Sequence, residues 1–103
     1  MAMPERIYRG ETRVIEGTVF SEAGLGLLPG MKPVLTLRKG LTRLEVEGVV
    51  IGQGTGKFIL NLSSSFTAAL ELGTWDYEIS IVGPAEGEVY VVEQGQMDVI
   101  ARI

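Results

Sequence analysis

The run Gly52-Gln53-Gly54-Thr55-Gly56-Lys57-Phe58 has the composition of a phosphate-binding loop. Such a loop needs a glycine five positions ahead of its Gly-Lys pair. It also needs a hydroxyl residue after the lysine for magnesium, and a helix N-terminus facing the phosphates. Here Ile51 stands at the first of these positions and Phe58 at the second. The residues that follow alternate as a strand does, so the run is read as a hairpin turn, where glycine supplies positive φ. The other polar residues offer little chemistry. The chain has no histidine and no cysteine, which removes disulfides, thiolate nucleophiles, the usual zinc ligands and the imidazole base of most triads. Asp76 and Glu78 lie two apart and share one strand face. A wet pair of this kind has no means of separating its two pKa values. No loop carries the oxygen ligands of a calcium site. The chain is therefore expected to be no enzyme, with no catalytic residue, metal or cofactor.

The elements around these residues are strands. Period-two alternation sets Phe58, Leu60 and Leu62 on one face and Lys57, Ile59 and Asn61 on the other. Trp75, Tyr77, Ile79 and Ile81 oppose Asp76, Glu78 and Ser80 in the same way. Leu35 and Leu37 alternate with Thr36 and Arg38, and Leu44 and Val46 with Glu45 and Glu47. Ile15 and Val19 pair with Gly17, and Arg13 breaks that face. In the last segment Val89, Val91, Met97 and Val99 are in phase, with Gly95 suggesting a bulge or bend. Glycine-rich turns separate these runs. The stretch from Ser63 to Leu72 reads as a short helical turn, with serines to cap it and Gly73 to stop it. The expectation is one domain over 1–103, with an N-terminal arm over 1–10. Its fold is all-β, an immunoglobulin-like two-sheet β-sandwich of about seven strands with one helical turn near 63–72.

Composition excludes other classes. Apolar residues make up 46% and charged residues 21% of 103, a globular balance. No apolar run approaches the ~20 residues of a spanning helix, and the start lacks a secretory h-region, so synthesis and retention in a cytoplasm are expected. Residues 1–43 hold seven basic and four acidic residues, and residues 44–103 hold two basic and nine acidic ones, giving −4 overall. An acidic chain without a basic cluster argues against nucleic acid as the main partner. The charge polarity either helps copies meet head to tail or serves solubility alone.

Contact candidates are then aromatic, arginine and apolar residues at the ends of the fold. The arm carries Arg6, Tyr8 and Arg9, and is either an interface segment or a frayed terminus. The loop with Leu25, Leu27, Leu28 and Met31 has one part to plug the sandwich end and another to meet a partner. Ile100 and Ile103 are candidates for a subunit contact. The row Trp75-Tyr77 suits either a core or a sugar-stacking platform. Its uniform apolarity favours core, with the Tyr77 hydroxyl reaching a backbone partner as in a tyrosine corner.

The segments "YRGETRVIEGTVFSEAG", "VLTLRKG", "GKFILNLSSSFTAALELGTWDYEISI" and "VYVVEQGQMDVI" occur in an order that resembles the small immunoglobulin-like structural modules of tailed bacteriophages and prophages. A related form stands at the N-terminus of phage baseplate upper proteins. Gly10-Glu11-Thr12 matches the opening of the pattern. Thr67-Ala68-Ala69-Leu70-Glu71 with Gly73-Thr74-Trp75-Asp76-Tyr77-Glu78 matches its most specific part. Leu72 stands where proline is usual, and the loop around Leu25–Met31 is more apolar than in the family. The resemblance spans roughly residues 8–100 and carries scaffold motifs alone. It implies a virion structural protein, made in the bacterial host cytoplasm. Such a protein binds other virion proteins, and its own copies in a homo-oligomer, as a capsid decoration or accessory protein or a tail component. A baseplate or head-tail connector scaffold and a carbohydrate-binding adhesion module are the alternatives, the last requiring Trp75 or Tyr90 to be exposed.

Overall fold

The computed structural model describes residues 3–19, 31–51 and 56–103. Among them eight strands run in the order β1 (Arg6–Tyr8), β2 (Arg13–Thr18), β3 (Lys32–Lys39), β4 (Thr42–Glu47), β5 (Val49–Ile51), β6 (Lys57–Leu62), β7 (Gly73–Val82) and β8 (Val89–Ile100), with one helix, α1 (Ser64–Ala68), between β6 and β7. One sheet has the order β1-β8-β7-β3-β4 and the other β2-β6-β5. Among the described residues only the β1–β8 pair is parallel. The alternating apolar positions meet between the sheets. Ile15, Phe58, Leu60 and Leu62 from one sheet form a single buried cluster with Leu35, Leu37, Trp75, Tyr77, Ile79, Ile81, Met97 and Val99 from the other. This is an all-β sandwich.

Two differences turn the six alternating runs into eight strands. The arm is not frayed over its whole length: Arg6–Tyr8 pairs with Asp98–Ile100, and Ile7 is fully buried in the core. The run from Leu44 to Ile51 is two strands in different sheets, because the chain crosses over at Gly48. Gly48 N–H donates to the Pro33 carbonyl at 2.8 Å, and a Cβ there would stand 2.7 Å from Leu60 Cδ2 and against the Ile59 carbonyl. Only glycine lets the backbone pass that close.

The helical turn is shorter than expected. Ser63 caps it, its hydroxyl accepting from Phe66 N–H at 3.2 Å. It ends at Ala69 with ordinary right-handed geometry, so Gly73 is not its stop; Gly73 opens β7 instead, at φ 123°. Gly95 is not the bulge of the last strand either. The register of β7 against β8 shifts between Ile79 and Ser80, which face Glu93 and Val91 and leave Val92 as the extra residue. Gly95 instead seats the Tyr77 ring, since a Cβ would fall 3.0 Å from its Cε1. The bulge undoes the expected phase of Val89 and Val91 with Met97 and Val99. The latter two are buried, while Val89 and Val91 are more than half exposed.

The glycine-rich run after Ile51 connects antiparallel neighbours, β5 and β6, with Ile51 opposite Lys57 and Gly56 at φ 72°. A strand, not a helix, follows the lysine. Residues 52–55 lie outside the described residues.

Candidate protein-contact surface

The fold brings the arm and the C-terminal end into one corner. Arg6 lies opposite Asp98, and Tyr8 opposite Ile100. Arg9 N–H donates to the Ile100 carbonyl at 2.9 Å, and Asp98 N–H to the Glu5 carbonyl at 3.0 Å. The Tyr8–Glu11 turn closes on itself, with Glu11 N–H donating to the Tyr8 carbonyl and Tyr8 N–H to Glu11 Oε1, both at 3.1 Å. Arg6, Tyr8 and Ile103 present exposed surface at this corner, and Ile100 is half-buried. Arg9 has an internal task as well. Its Nε and Nη2 both donate to the Ala68 carbonyl, at 3.3 and 3.0 Å, which fastens the arm to the end of α1. Met31 is half-buried against the core. Leu25, Leu27 and Leu28 lie outside the described residues.

Sequence reasoning missed the residue that completes this corner, Thr67. Its hydroxyl is fully buried and donates to the Glu11 carbonyl at 2.6 Å, with the Ser64 carbonyl at 3.2 Å. The family pattern includes Thr67, but a lone threonine after three serines reads as helix surface, and nothing in the pattern marks its hydroxyl as buried.

The aromatic residues separate into core and surface. Trp75 is 1% exposed and its indole N–H donates to the Glu71 carbonyl at 2.8 Å, so it offers no stacking face. Tyr77 is buried too, and its hydroxyl donates not to a backbone partner but to Glu93 Oε2 at 2.8 Å. Burial first, then the hydrogen bond to Glu93 and that residue's negative charge, push the Tyr77 phenol up to about 12. Glu93 Oε2 also accepts from Met3 N–H at 3.2 Å. Tyr90 is half exposed and its hydroxyl donates to Glu88 Oε1 at 2.9 Å; this contact, the carboxylate charge and some desolvation raise its pKa. Asp76 and Glu78 lie on the opposite sheet face from Trp75 and accept from Gln96 and Gln94 at 3.1 and 2.8 Å.

A cleft of about 420 Å³ opens at the side of the sandwich where the edges β2 and β8 approach each other. Glu16, Gly17 and Thr18 of β2 line it, with Phe58, Ile79, Val92 and Glu93. Among the described residues there is no cluster of acidic side chains that suits a metal ion, and no helix is long and apolar enough to cross a membrane.

No protein-family profile matches the chain, and no curated protein matches its sequence significantly. Solved structures share its fold. A chain provisionally assigned as a glycoside hydrolase, from Bacteroides vulgatus ATCC 8482, superposes with a TM-score of 0.58 at 15% identity over 96% of this chain. This chain spans only 17% of that one. The N-terminal domain of phage TP901-1 ORF48 superposes with a TM-score of 0.57 at 13% identity, over 95% of this chain and 83% of that domain. At such identities the likeness is one of fold.

Proposed function

We propose that this chain is a non-enzymatic module of a tailed-phage or prophage particle, with a sandwich of the immunoglobulin-like kind, that acts by binding other virion proteins. The observation that carries the reading is the match to the phage TP901-1 ORF48 domain, which is nearly complete in both directions. The match to the hydrolase, by contrast, touches a sixth of a larger chain, the size of an accessory module. The parallel β1–β8 pair, which sets a first short strand beside the last, supports the immunoglobulin-like assignment. The non-catalytic reading draws on Glu93, the half-buried carboxylate of the cleft, which is held by the Tyr77 hydroxyl and Met3 N–H. The exposed corner of Arg6, Tyr8 and Ile103 is the proposed contact, and repetition on a symmetric particle lets many weak contacts of this kind act together.

Immunogold labelling of intact particles, with mass spectrometry of their proteins, tests this. Label spread over heads identifies a capsid decoration protein, and label at the neck or one tail end identifies a connector or baseplate part. Absence from both label and spectrum overturns the virion reading.

A further inference from the structure

The outer edge of β8 is only partly covered. β1 pairs with Asp98–Ile100, and Met3, just before Pro4, binds the Glu93 side chain instead of the backbone. Proline has no N–H to give, so the ladder stops there. Among the described residues no strand pairs with the outer side of Val89–Val92.

This stretch is built for pairing. The Glu88 carbonyl accepts from Gly83 N–H, so it points to β7, and alternation turns the N–H and C=O of Val89 and Val91 outward. At the other end Asp98 N–H and the Ile100 carbonyl point outward to β1. The outward set changes from odd to even positions, and the bulge at Val92 accounts for the change. Val89, Tyr90, Val91 and Val92 are exposed by 54, 53, 55 and 38%. An edge of four consecutive β-prone apolar residues, with no lysine or proline to blunt it, is a template for another strand.

We propose that an extended, lysine- or arginine-bearing segment of a partner protein adds to β8 along Val89–Val92 and seats a basic side chain in the cleft beside it. The charge of the edge decides between occupants. From Gly83 to Asp98 the chain carries Glu86, Glu88, Glu93 and Asp98 and no basic residue. Two copies of β8 pairing with each other would bring these carboxylates together, and the opposite sheet edge, β4, offers Glu45 and Glu47 against one Arg43. Val92, at one end of this stretch, lines the cleft, so a strand laid along Val89–Val92 reaches the cleft at that end and can put a side chain into it. Phe58, Ile79 and Val92 receive an aliphatic stem there, and Glu16 lines the same cleft to meet a cationic tip. The inference rests on the virion reading only for the source of the partner, and the edge itself is tested on the purified chain, so either can fail alone.

The probe is a short capped peptide alternating valine and lysine, and the readout is amide hydrogen exchange of the intact protein. The peptide is expected to slow the Val89 and Val91 amides by about tenfold or more while the β4 edge is unchanged. The same peptide with glutamate for lysine, or N-methylated at alternate amides, is expected to do nothing. Val91→Lys, at an exposed site, is expected to abolish the effect while Trp75 fluorescence stays native. No slowing at saturating peptide, equal slowing by the glutamate peptide, protection at β4 or β5 instead, or a peptide-free dimer that itself protects Val89 and Val91 would each overturn the proposal.

Discussion

Gly17 has no Cβ because the Phe58 ring occupies its place. The two residues are register partners across β2 and β6. A methyl built on Gly17 would stand 2.7 Å from Phe58 Cε1 and 3.0 Å from Cε2, with Cζ closer still. Gly17 is not among the positive-φ glycines, so alanine meets no backbone strain and the effect of Gly17→Ala is steric. Overpacking a well-filled core costs roughly 1–3 kcal/mol. Replacing glycine in a strand returns roughly 0.5–1 kcal/mol of backbone entropy. The ring also borders the side cleft, which lets its tip give way by some tenths of an ångström. The net destabilisation of Gly17→Ala is therefore about 1–2 kcal/mol, or a fall in Tm of roughly 5–15 °C for a domain of this size.

The pair can be tested as a cycle. Phe58→Leu removes the ring tip and on its own destabilises by about 1–2 kcal/mol through lost burial. In that background the alanine methyl fills space that the ring has left. Gly17→Ala added to Phe58→Leu is thus expected to be neutral or stabilising, a coupling of about 1–2 kcal/mol. Urea unfolding followed by Trp75 fluorescence measures all four corners. Equal cost of Gly17→Ala in both backgrounds would refute the steric argument and point to a backbone role for the glycine.

Three further outcomes follow from the packing. Thr67→Val keeps the shape but leaves the Glu11 carbonyl without its donor, and should cost about 1–2 kcal/mol in urea unfolding, where a surface threonine would cost nothing. The Tyr77 phenol is pushed up to about 12 in the folded protein against about 10 in the unfolded chain, so its contribution is complete below pH 10 and is lost as pH rises toward 12. Unfolding midpoints should fall across that window, and Tyr77→Phe should flatten the fall; an unchanged slope would contradict the assignment. Trp75, buried and bonded to Glu71, should emit with a blue-shifted maximum that soluble sugars do not move.

Much of the sandwich is legible in the sequence because one physical rule, alternation against a shared core, governs most of it. Phe58-Leu60-Leu62 and Trp75-Tyr77-Ile79-Ile81 are buried as their spacing requires, and Ser63 caps its helix as a serine before a short Ala/Leu run should. The misreadings sit where backbone geometry overrides pattern. Gly48 carries no more signal than any turn glycine, yet it moves the chain from one sheet to the other. Gly95 and Gly17 look like weak points in strands and are seats for the Tyr77 and Phe58 rings. Ile7 is one apolar residue in a charged arm, and only its parallel pairing with the last strand places it in the core.

The corner around Arg6, Tyr8 and Ile100 was legible as a set of residue types, but not as a set of neighbours. A parallel pairing between the two ends of a chain leaves no local trace. The edge of β8 was hidden for a different reason. Read at period two, Val89 and Val91 belong with Met97 and Val99 and ought to be buried. A single extra residue at Val92 resets the phase, so the same valines stand outside while the later pair stays in the core. Such a shift decides which residues fill the core and which face solvent. The bulge keeps Met97 and Val99 in the core and leaves Val89–Val92 exposed. Deleting Val92 should therefore do more than shorten a strand. Restored alternation would turn Val89 and Val91 toward the core side and carry Tyr90 from the core side to the outer face, changing the side-chain rows of the exposed edge.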